Sequence, residues 1–320
     1  MSTSIQHIQK ELTAFEDLFK NAVKSNVPLL DRILKYVVKT KGKQLRPMFV
    51  ILSAKLCGEV NEKTYRAASL VELLHTATLV HDDVVDEATH RRGYFSVYAL
   101  WKNKASVLVG DYLLAKGLLL SLDNKDFNTL NILSDAVSKM SEGELLQLEK
   151  SRLLNITEDD YFSIIRNKTA SLLASACAAG AESSNNNPDV VEKMKMFGEY
   201  TGIAFQIKDD LFDYGTDDVG KPTGNDIKEK KLTLPLIYTL KNVDTSKRRA
   251  LKYMLKNSNR RKESVQQIIK EVETSGGIEY AIGKMNEFKS KALEILNQFP
   301  PSEARESLES LVRYTTERKR

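Results

Sequence analysis

The sequence predicts an all-α protein. Three observations carry that reading: apolar residues recur at helical spacing, glycine (15) and proline (7) are scarce among 320 residues, and valine- or threonine-rich alternating runs are few. A hydrophobic content of 42% is ample for an extensive core, and the length suits a single large bundle spanning residues 1–320 as one domain.

The first helix is amphipathic. Ile5, Ile8, Leu12, Phe15 and Phe19 recur at helical spacing, and Lys10, Glu11, Glu16 and Asp17 interrupt them, so the segment does not read as a secretory signal. A second helix is expected from Pro28 to Thr40. The basic stretch Lys39–Pro47 follows, and Pro47 suits the first position of a helix over Met48–Leu56. That places the basic loop at a positive helix N-terminus, which attracts phosphate, although on this evidence alone an ordinary basic connection between helices is the better explanation. The next helix, Glu62 to Glu87, carries His75 about two turns before Asp82 on roughly the same face.

Helices are then expected over Ala105–Ser121, Asn128–Glu149 and Glu158–Ala181, the last presenting Lys168 and Thr169 side by side. Ser183–Pro188 is a loop by composition, and Pro188 starts a helix to about Tyr214. A polar loop from Gly215 to Asn225 follows, with Lys221 and Lys231 flanking its Thr-Gly-Asn-Asp turn. Beyond Leu232 the pattern is helical, broken at Gly276-Gly277 and Pro300-Pro301.

Charge excludes little on its own. There are 48 basic and 43 acidic residues, a net +5, and the excess gathers in Lys247-Arg248-Arg249, Arg260-Arg261-Lys262 and Arg318-Lys319-Arg320. These runs lack interleaved aromatics, so they read as a solvated face and not as a nucleic-acid surface. Cys57 and Cys177 have no metal-ligand spacing and fit reduced thiols of a cytoplasmic protein. No apolar run reaches transmembrane length, so no stable membrane insertion is expected.

The chemistry concentrates in His81–Gly93, HDDVVDEATHRRG. On a helix Asp82 and Asp86 lie at i and i+4, and such a like-charge pair costs roughly 0.2–0.5 kcal/mol unless a cation sits between them. A solvated acidic helix end would also explain this stretch alone. Two facts favour a divalent cation: the residues before it, Val71–Val80, are mostly apolar or small, and the pattern recurs at Asp209, Asp210 and Asp213. Hard carboxylate ligands without a cysteine or histidine set suit Mg2+, or Mn2+, better than zinc. The neighbouring lysines and arginines call for a strongly anionic ligand, and a diphosphate would use both kinds of group. There is no serine–histidine–aspartate arrangement, no reactive-cysteine context and no nucleotide-binding P-loop. Catalysis is therefore expected to be electrostatic: a departing diphosphate is stabilised and an apolar cavity shelters the carbocation left behind.

From about Lys41 to Leu240, and more loosely beyond, the chain resembles the trans-isoprenyl diphosphate synthases of the polyprenyl synthetase family. The motif DDxxD followed by RRG matches Asp82, Asp83, Asp86, Arg91, Arg92 and Gly93. GxxFQxxDDxxD matches Gly202, Phe205, Gln206, Asp209, Asp210 and Asp213. GKxxRP matches Gly42, Lys43, Arg46 and Pro47, and the KT pair matches Lys168 and Thr169.

The resemblance implies the isoprenoid synthase fold, a single large antiparallel helix bundle around a central active-site cavity, assembled as a homodimer. It implies that the six aspartates bind three Mg2+ ions gripping an allylic diphosphate, helped by Arg91, Lys168, Thr169, Gln206, Lys221 and Lys231. Lys43, Arg46, His75 and Arg92 would receive isopentenyl diphosphate. The residues five and four before the first aspartate, Ala77 and Thr78, correspond to the floor of the family's product tunnel; both are small, which implies a product longer than farnesyl. The stretch LLHTATLVHDDVVDEATHRRG is most similar to medium- and long-chain, octaprenyl-type synthases that make quinone tails. Geranylgeranyl or farnesyl synthesis is the alternative. A class I terpene cyclase would not need the second diphosphate pocket, a histidine–aspartate hydrolase would leave RRG unexplained, and a non-catalytic partner subunit should have lost one aspartate motif.

Overall fold

Local capping chemistry sets most helix boundaries. In the computed structural model, which describes residues 7–40, 42–91, 93–215, 224–257 and 262–318, Asn61 starts the longest early helix. Its side chain accepts the Lys63 and Thr64 amides while the Thr64 hydroxyl accepts the Asn61 amide. Such a reciprocal cap contributes about 1 kcal/mol.

The helices in chain order are α1 (Gln9–Ala22), α2 (Pro28–Lys39), α3 (Leu45–Cys57), α4 (Glu62–Val85), α5 (Val97–Asp123), α6 (Phe127–Leu153) and α7 (Glu158–Ile165). A π-helical turn, Arg166–Ala170, leads into α8 (Ser171–Ser184) and α9 (Pro188–Phe212). Then come α10 (Asn225–Lys228), α11 (Leu234–Asn242), α12 (Thr245–Lys256), α13 (Lys262–Thr274), α14 (Gly277–Leu296) and α15 (Glu303–Glu317). Between α4 and α5 a two-stranded antiparallel ribbon pairs β1 (His90–Arg91) with β2 (Tyr94–Phe95), in register His90 to Phe95 and Arg91 to Tyr94. The fold is all-α, as the sequence predicts.

Three boundaries depart from expectation. Helix α3 opens at Leu45, two residues before Pro47; proline is tolerated there because amides of the first turn have no acceptor within the helix. The expected helix over Glu158–Ala181 is interrupted by the π turn and runs on to Ser184. Helix α5 begins at Val97 on a Ser96 cap, but Lys102 leaves helical geometry at φ 65°, so only its second stretch matches the expected Ala105–Ser121.

Helix α5 also corrects the reading of apolar runs. By length and composition it is apolar enough to cross a membrane, although only a third of its most apolar window is buried. Asp111 and Lys116 interrupt that window. Leu108, Leu118, Leu119 and Leu122 remain exposed and share an arc of roughly 120° on the helix.

By contacts the chain divides into two compact units; four of the five divisions fall inside helices, and the fifth, between Gln298 and Phe299, lies in the connection from α14 to α15. The first comprises Met1–Val137, Ser175–Lys195 and Phe299–Leu308. Within it α4 is buried along its length from Ala67 to His75 and packs against α3 and α5. Close approach is built in: a side chain at Gly180 would meet the Val50 carbonyl at 2.2 Å. The second unit, Ser138–Ala174, Met196–Gln298 and Glu309–Arg320, has its own core of Tyr161, Ile203, Ile207, Leu234, Leu236, Ile268 and Ala281 among others.

Candidate active site

In the second unit a pocket of about 560 Å³ brings together seven residues that the sequence singled out: Lys168, Thr169, Gln206, Asp209, Asp210, Asp213 and Lys231. Helix α9 supplies the aspartates from its last turn and the residue beyond it. Their environments differ. Asp210 is buried, and both its oxygens are held, Oδ2 by the Tyr161 hydroxyl (2.7 Å) and Oδ1 by the Gln206 amide (2.8 Å). Asp213 caps the short helix α10, accepting the backbone amides of Asn225 (2.8 Å) and Asp226 (3.2 Å). Asp209 is the accessible member, with 40% of its side chain exposed.

Burial pushes the Asp210 carboxyl up to about 7, with the Asp226 and Asp209 charges adding to the effect and the Tyr161 and Gln206 hydrogen bonds opposing it. The Asp213 carboxyl rises to about 6, again through burial first and the Asp226 charge second. Negative charge in this wall is therefore uncomfortable without a cation.

The π turn presents Lys168 and Thr169 to the same pocket. It fits because two glycines let neighbouring helices close on it: a Cβ at Gly143 would lie 2.7 Å from the Lys168 amide nitrogen, and one at Gly202 would lie 2.6 Å from Ala170 Cα. That is a physical reason for the glycine that opens the second aspartate motif. The Thr169 hydroxyl donates to Gln206 Oε1 (2.9 Å), so Gln206 links the π turn to Asp210. Lys168 is paired with Glu144 (2.5 Å) and reaches Gln147 (3.3 Å), and Lys231 is paired with Glu229 (2.5 Å).

In the first unit, Asp83 is buried near the end of α4, while Asp82 and Asp86 are exposed. Arg91, on the ribbon, places Nε and Nη2 each 2.8 Å from Asp83 Oδ1. Burial raises the Asp83 pKa, Arg91 opposes the rise, and Asp86 adds to it. A smaller pocket is lined by His75, Asp83 and Arg91 together with Tyr36, Thr40 and Glu72. Arg46 Nη1 lies 2.8 Å from His75 Nε2, so two residues expected to share one diphosphate subsite, 29 positions apart in sequence, are in contact. Lys43 is exposed just before α3. Ala77 is buried in α4; Thr78 is half-buried, its hydroxyl donating to the His75 carbonyl (2.9 Å), and neither lines these two pockets. Arg92 and Lys221 lie outside the described residues.

Among the pocket residues that the sequence does not single out, two hold aspartates through their side chains. Tyr161 sits on the buried side of α7, and a buried tyrosine normally finds a partner for its hydroxyl, which was the available signal. Arg318 corrects the view of its basic run as a solvated face: it lines the pocket, forms an ion pair with Asp209, and stacks over Phe205 (4.5 Å to the ring centroid) and Phe212 (5.4 Å). Nothing in local composition marks it.

The donor set fits a hard divalent cation: the pocket is lined by five carboxylates, Asp209, Asp210, Asp213, Asp226 and Glu229, two of them buried with raised pKa values, and by no thiol or imidazole. Among the described residues, no group of three His, Cys, Asp or Glu side chains converges into a ready-made cage.

Comparison with known proteins gives the same direction. The polyprenyl synthetase family model matches residues 27–272. The all-trans-nonaprenyl-diphosphate synthase (geranyl-diphosphate specific) of Rhodobacter capsulatus is 37% identical, over 97% of this chain and 96% of its own length. The crystal structure of a decaprenyl diphosphate synthase from Rhodobacter capsulatus superposes with a TM-score of 0.94 at 34% identity, covering 100% of this chain and 99% of that one. A geranylgeranyl pyrophosphate synthase from Bacteroides thetaiotaomicron gives a TM-score of 0.84 at 37% identity, covering 98% of each chain.

Proposed function

The chain belongs to the polyprenyl synthetase family, and we propose from its two pockets how its own residues carry out the reaction. It is a trans-polyprenyl diphosphate synthase, a prenyltransferase that condenses isopentenyl diphosphate onto an allylic diphosphate to give chains longer than farnesyl. The observation that carries the residue assignment is the gathering of Asp209, Asp210, Asp213, Lys168, Thr169, Gln206 and Lys231 in one pocket.

In this reading the pocket binds the allylic diphosphate, with Lys168, Thr169, Gln206, Lys221 and Lys231 toward its oxygens and Arg91 assisting from the ribbon after α4. Asp82, Asp83, Asp86, Asp209, Asp210 and Asp213 would hold Mg2+, three ions in all, with Mn2+ as a substitute. Mg2+ supplies the Lewis acidity that draws electron density from the breaking carbon–oxygen bond. Asp209 is the accessible member of the second aspartate triplet; Tyr161 and Gln206 fix Asp210, and Asp213 holds the segment at α10 in place.

Lys43, Arg46, His75 and Arg92 hold isopentenyl diphosphate. The Arg46–His75 contact supports this, since a guanidinium fork fixed by an imidazole is preorganised for phosphate oxygens. The allylic carbon–oxygen bond breaks with its electron pair leaving on diphosphate. The isopentenyl double bond then forms the new carbon–carbon bond, and the adjacent proton is lost to the released diphosphate. Arginine and lysine side chains keep the departing charge from recombining by hydrogen-bonding it where it develops.

Ala77 and Thr78 are both small, which supports a medium- or long-chain product of the kind used in quinone tails. Residues 1–320 act as one polyprenyl synthetase domain, a reading supported by the four of five unit divisions that fall within helices. The chain works in the cytoplasm as a homodimer, and the exposed leucine stripe of α5 supplies an apolar face suited to a second copy. Sedimentation at micromolar concentration tests the dimer, a monomer counting against it. Replacing Asp82 or Asp209 by alanine tests the metal assignment: turnover should fall by orders of magnitude with thermal unfolding little changed, and near-normal turnover in both variants would refute it.

A further inference from the structure

Arg318 occupies a place that none of the reaction's assigned residues explains. Phe205, Asp209 and Phe212 stand at i, i+4 and i+7, one face of α9, and the Arg318 guanidinium lies along that face. It stacks over both rings while Nη2 bonds Asp209 Oδ1. Only 19% of the side chain is exposed, and its Nε–H is buried with no hydrogen-bond partner among the described residues. The same guanidinium lines the pocket with Lys168, Thr169 and Lys231.

These features combine in a particular way. Stacking holds a planar guanidinium by its face and leaves its edge, with five N–H donors, able to turn. The carboxylate it now engages is the accessible one of the three aspartates from the end of α9. A divalent cation arriving at Asp209 competes with the guanidinium for the same lone pairs and repels it. An anion entering beside it offers acceptors to donors that Asp209 does not use, including the unsatisfied Nε–H.

We propose that Arg318 is an exchanging cation of this pocket, neutralising Asp209 until a divalent ion takes that carboxylate and then turning its edge to the substrate's diphosphate. The inference rests on the metal–diphosphate reading of the pocket. It makes Arg318 a binding residue for the diphosphate and, in the ligand-free protein, a competitor of the metal, two effects of opposite sign.

The test uses the full chain as wild type, Arg318→Gln, Arg318→Lys and Asp209→Ala. Mn2+ binding to the ligand-free protein is followed by electron paramagnetic resonance, and binding of inorganic pyrophosphate with Mg2+ by calorimetry. Arg318→Gln should bind Mn2+ several-fold more tightly and Mg2+–pyrophosphate about tenfold more weakly, the scale of one charge-assisted hydrogen bond. Arg318→Lys should fall between, since it keeps the charge but loses the planar fork and stack. Unchanged or weaker Mn2+ binding, or unchanged pyrophosphate binding, in Arg318→Gln overturns the exchange. Failure of the wild type to bind Mg2+–pyrophosphate, or wild-type binding by Asp209→Ala, overturns the metal–diphosphate reading itself and Arg318's role with it.

Discussion

The Tyr161 hydroxyl donates a 2.7 Å hydrogen bond to Asp210 Oδ2 in the buried wall of the pocket, joining α7 to the end of α9 across 49 positions of sequence. With Gln206 on the other oxygen, the carboxylate is fixed in direction before any ligand arrives. Tyr161→Phe removes one donor without changing shape, and a hydrogen bond to a charged group contributes about 1.5–3 kcal/mol. The variant should need several-fold more Mg2+ for half-maximal activity while keeping its melting temperature within a few degrees. A Mg2+ titration alongside a thermal melt checks this; an unchanged Mg2+ requirement would mean that the bond serves packing alone.

Asp210 also predicts a pH dependence. Its folded pKa, about 7, lies above the ordinary aspartate value of 3.8, so the folded state holds this proton more tightly than the unfolded chain. The stabilisation that follows is fully present below the unfolded pKa and is lost as pH rises through about 7. Asp210→Asn carries no such titration. In chelator, its melting temperature relative to wild type should therefore climb as pH rises from about 4 to about 7 and level off above that. A difference that is flat across this range would contradict the buried, cation-seeking carboxylate.

The π turn depends on glycine. Gly202→Ala puts a methyl group 2.6 Å from the Ala170 backbone, which must shift, and overpacking of this kind costs about 1–3 kcal/mol. Because Ala170 ends the turn that carries Thr169 and its bond to Gln206, the Michaelis constant for the allylic substrate should rise together with the loss of stability. Chemical denaturation and steady-state kinetics on one preparation report both; a stability loss with unaltered kinetics would separate the turn from substrate binding.

In the other unit, Arg46 and His75 predict which substrate suffers. Lys43→Ala and Arg46→Ala should raise the Michaelis constant for isopentenyl diphosphate more than for the allylic partner, with Arg46→Ala the stronger because its guanidinium touches the His75 ring. The reverse order of substrates would show that the two diphosphate subsites are exchanged.

Much of this was legible along the chain. The aspartate triplets, the Lys168-Thr169 pair and the capping residues are local signals, and Asn61, Pro188 and Gly276 mark helix ends as their chemistry requires. What escaped depends on contacts between distant segments. The π turn exists because Gly143 and Gly202, from two other helices, admit it. The Tyr161–Asp210 and Arg318–Asp209 contacts span 49 and 109 positions, and no periodicity encodes such pairings. The bend at Lys102 likewise has no glycine or proline to announce it.

Relatives of similar identity are named for products from geranylgeranyl to nonaprenyl, so product length is the property that sets this chain apart within its family. Ala77 is buried in α4, and Ala77→Phe should shorten the products if this face lines the growing tail. The most direct measurement incubates the wild-type protein with labelled isopentenyl diphosphate, Mg2+ and, in turn, dimethylallyl, geranyl and farnesyl diphosphate, then resolves the dephosphorylated alcohols by length. The structure predicts elongation past farnesyl from at least one starter, dependent on Asp209 and shortened in Ala77→Phe. Products that stop at farnesyl, or a cyclic hydrocarbon in place of a ladder, would contradict it.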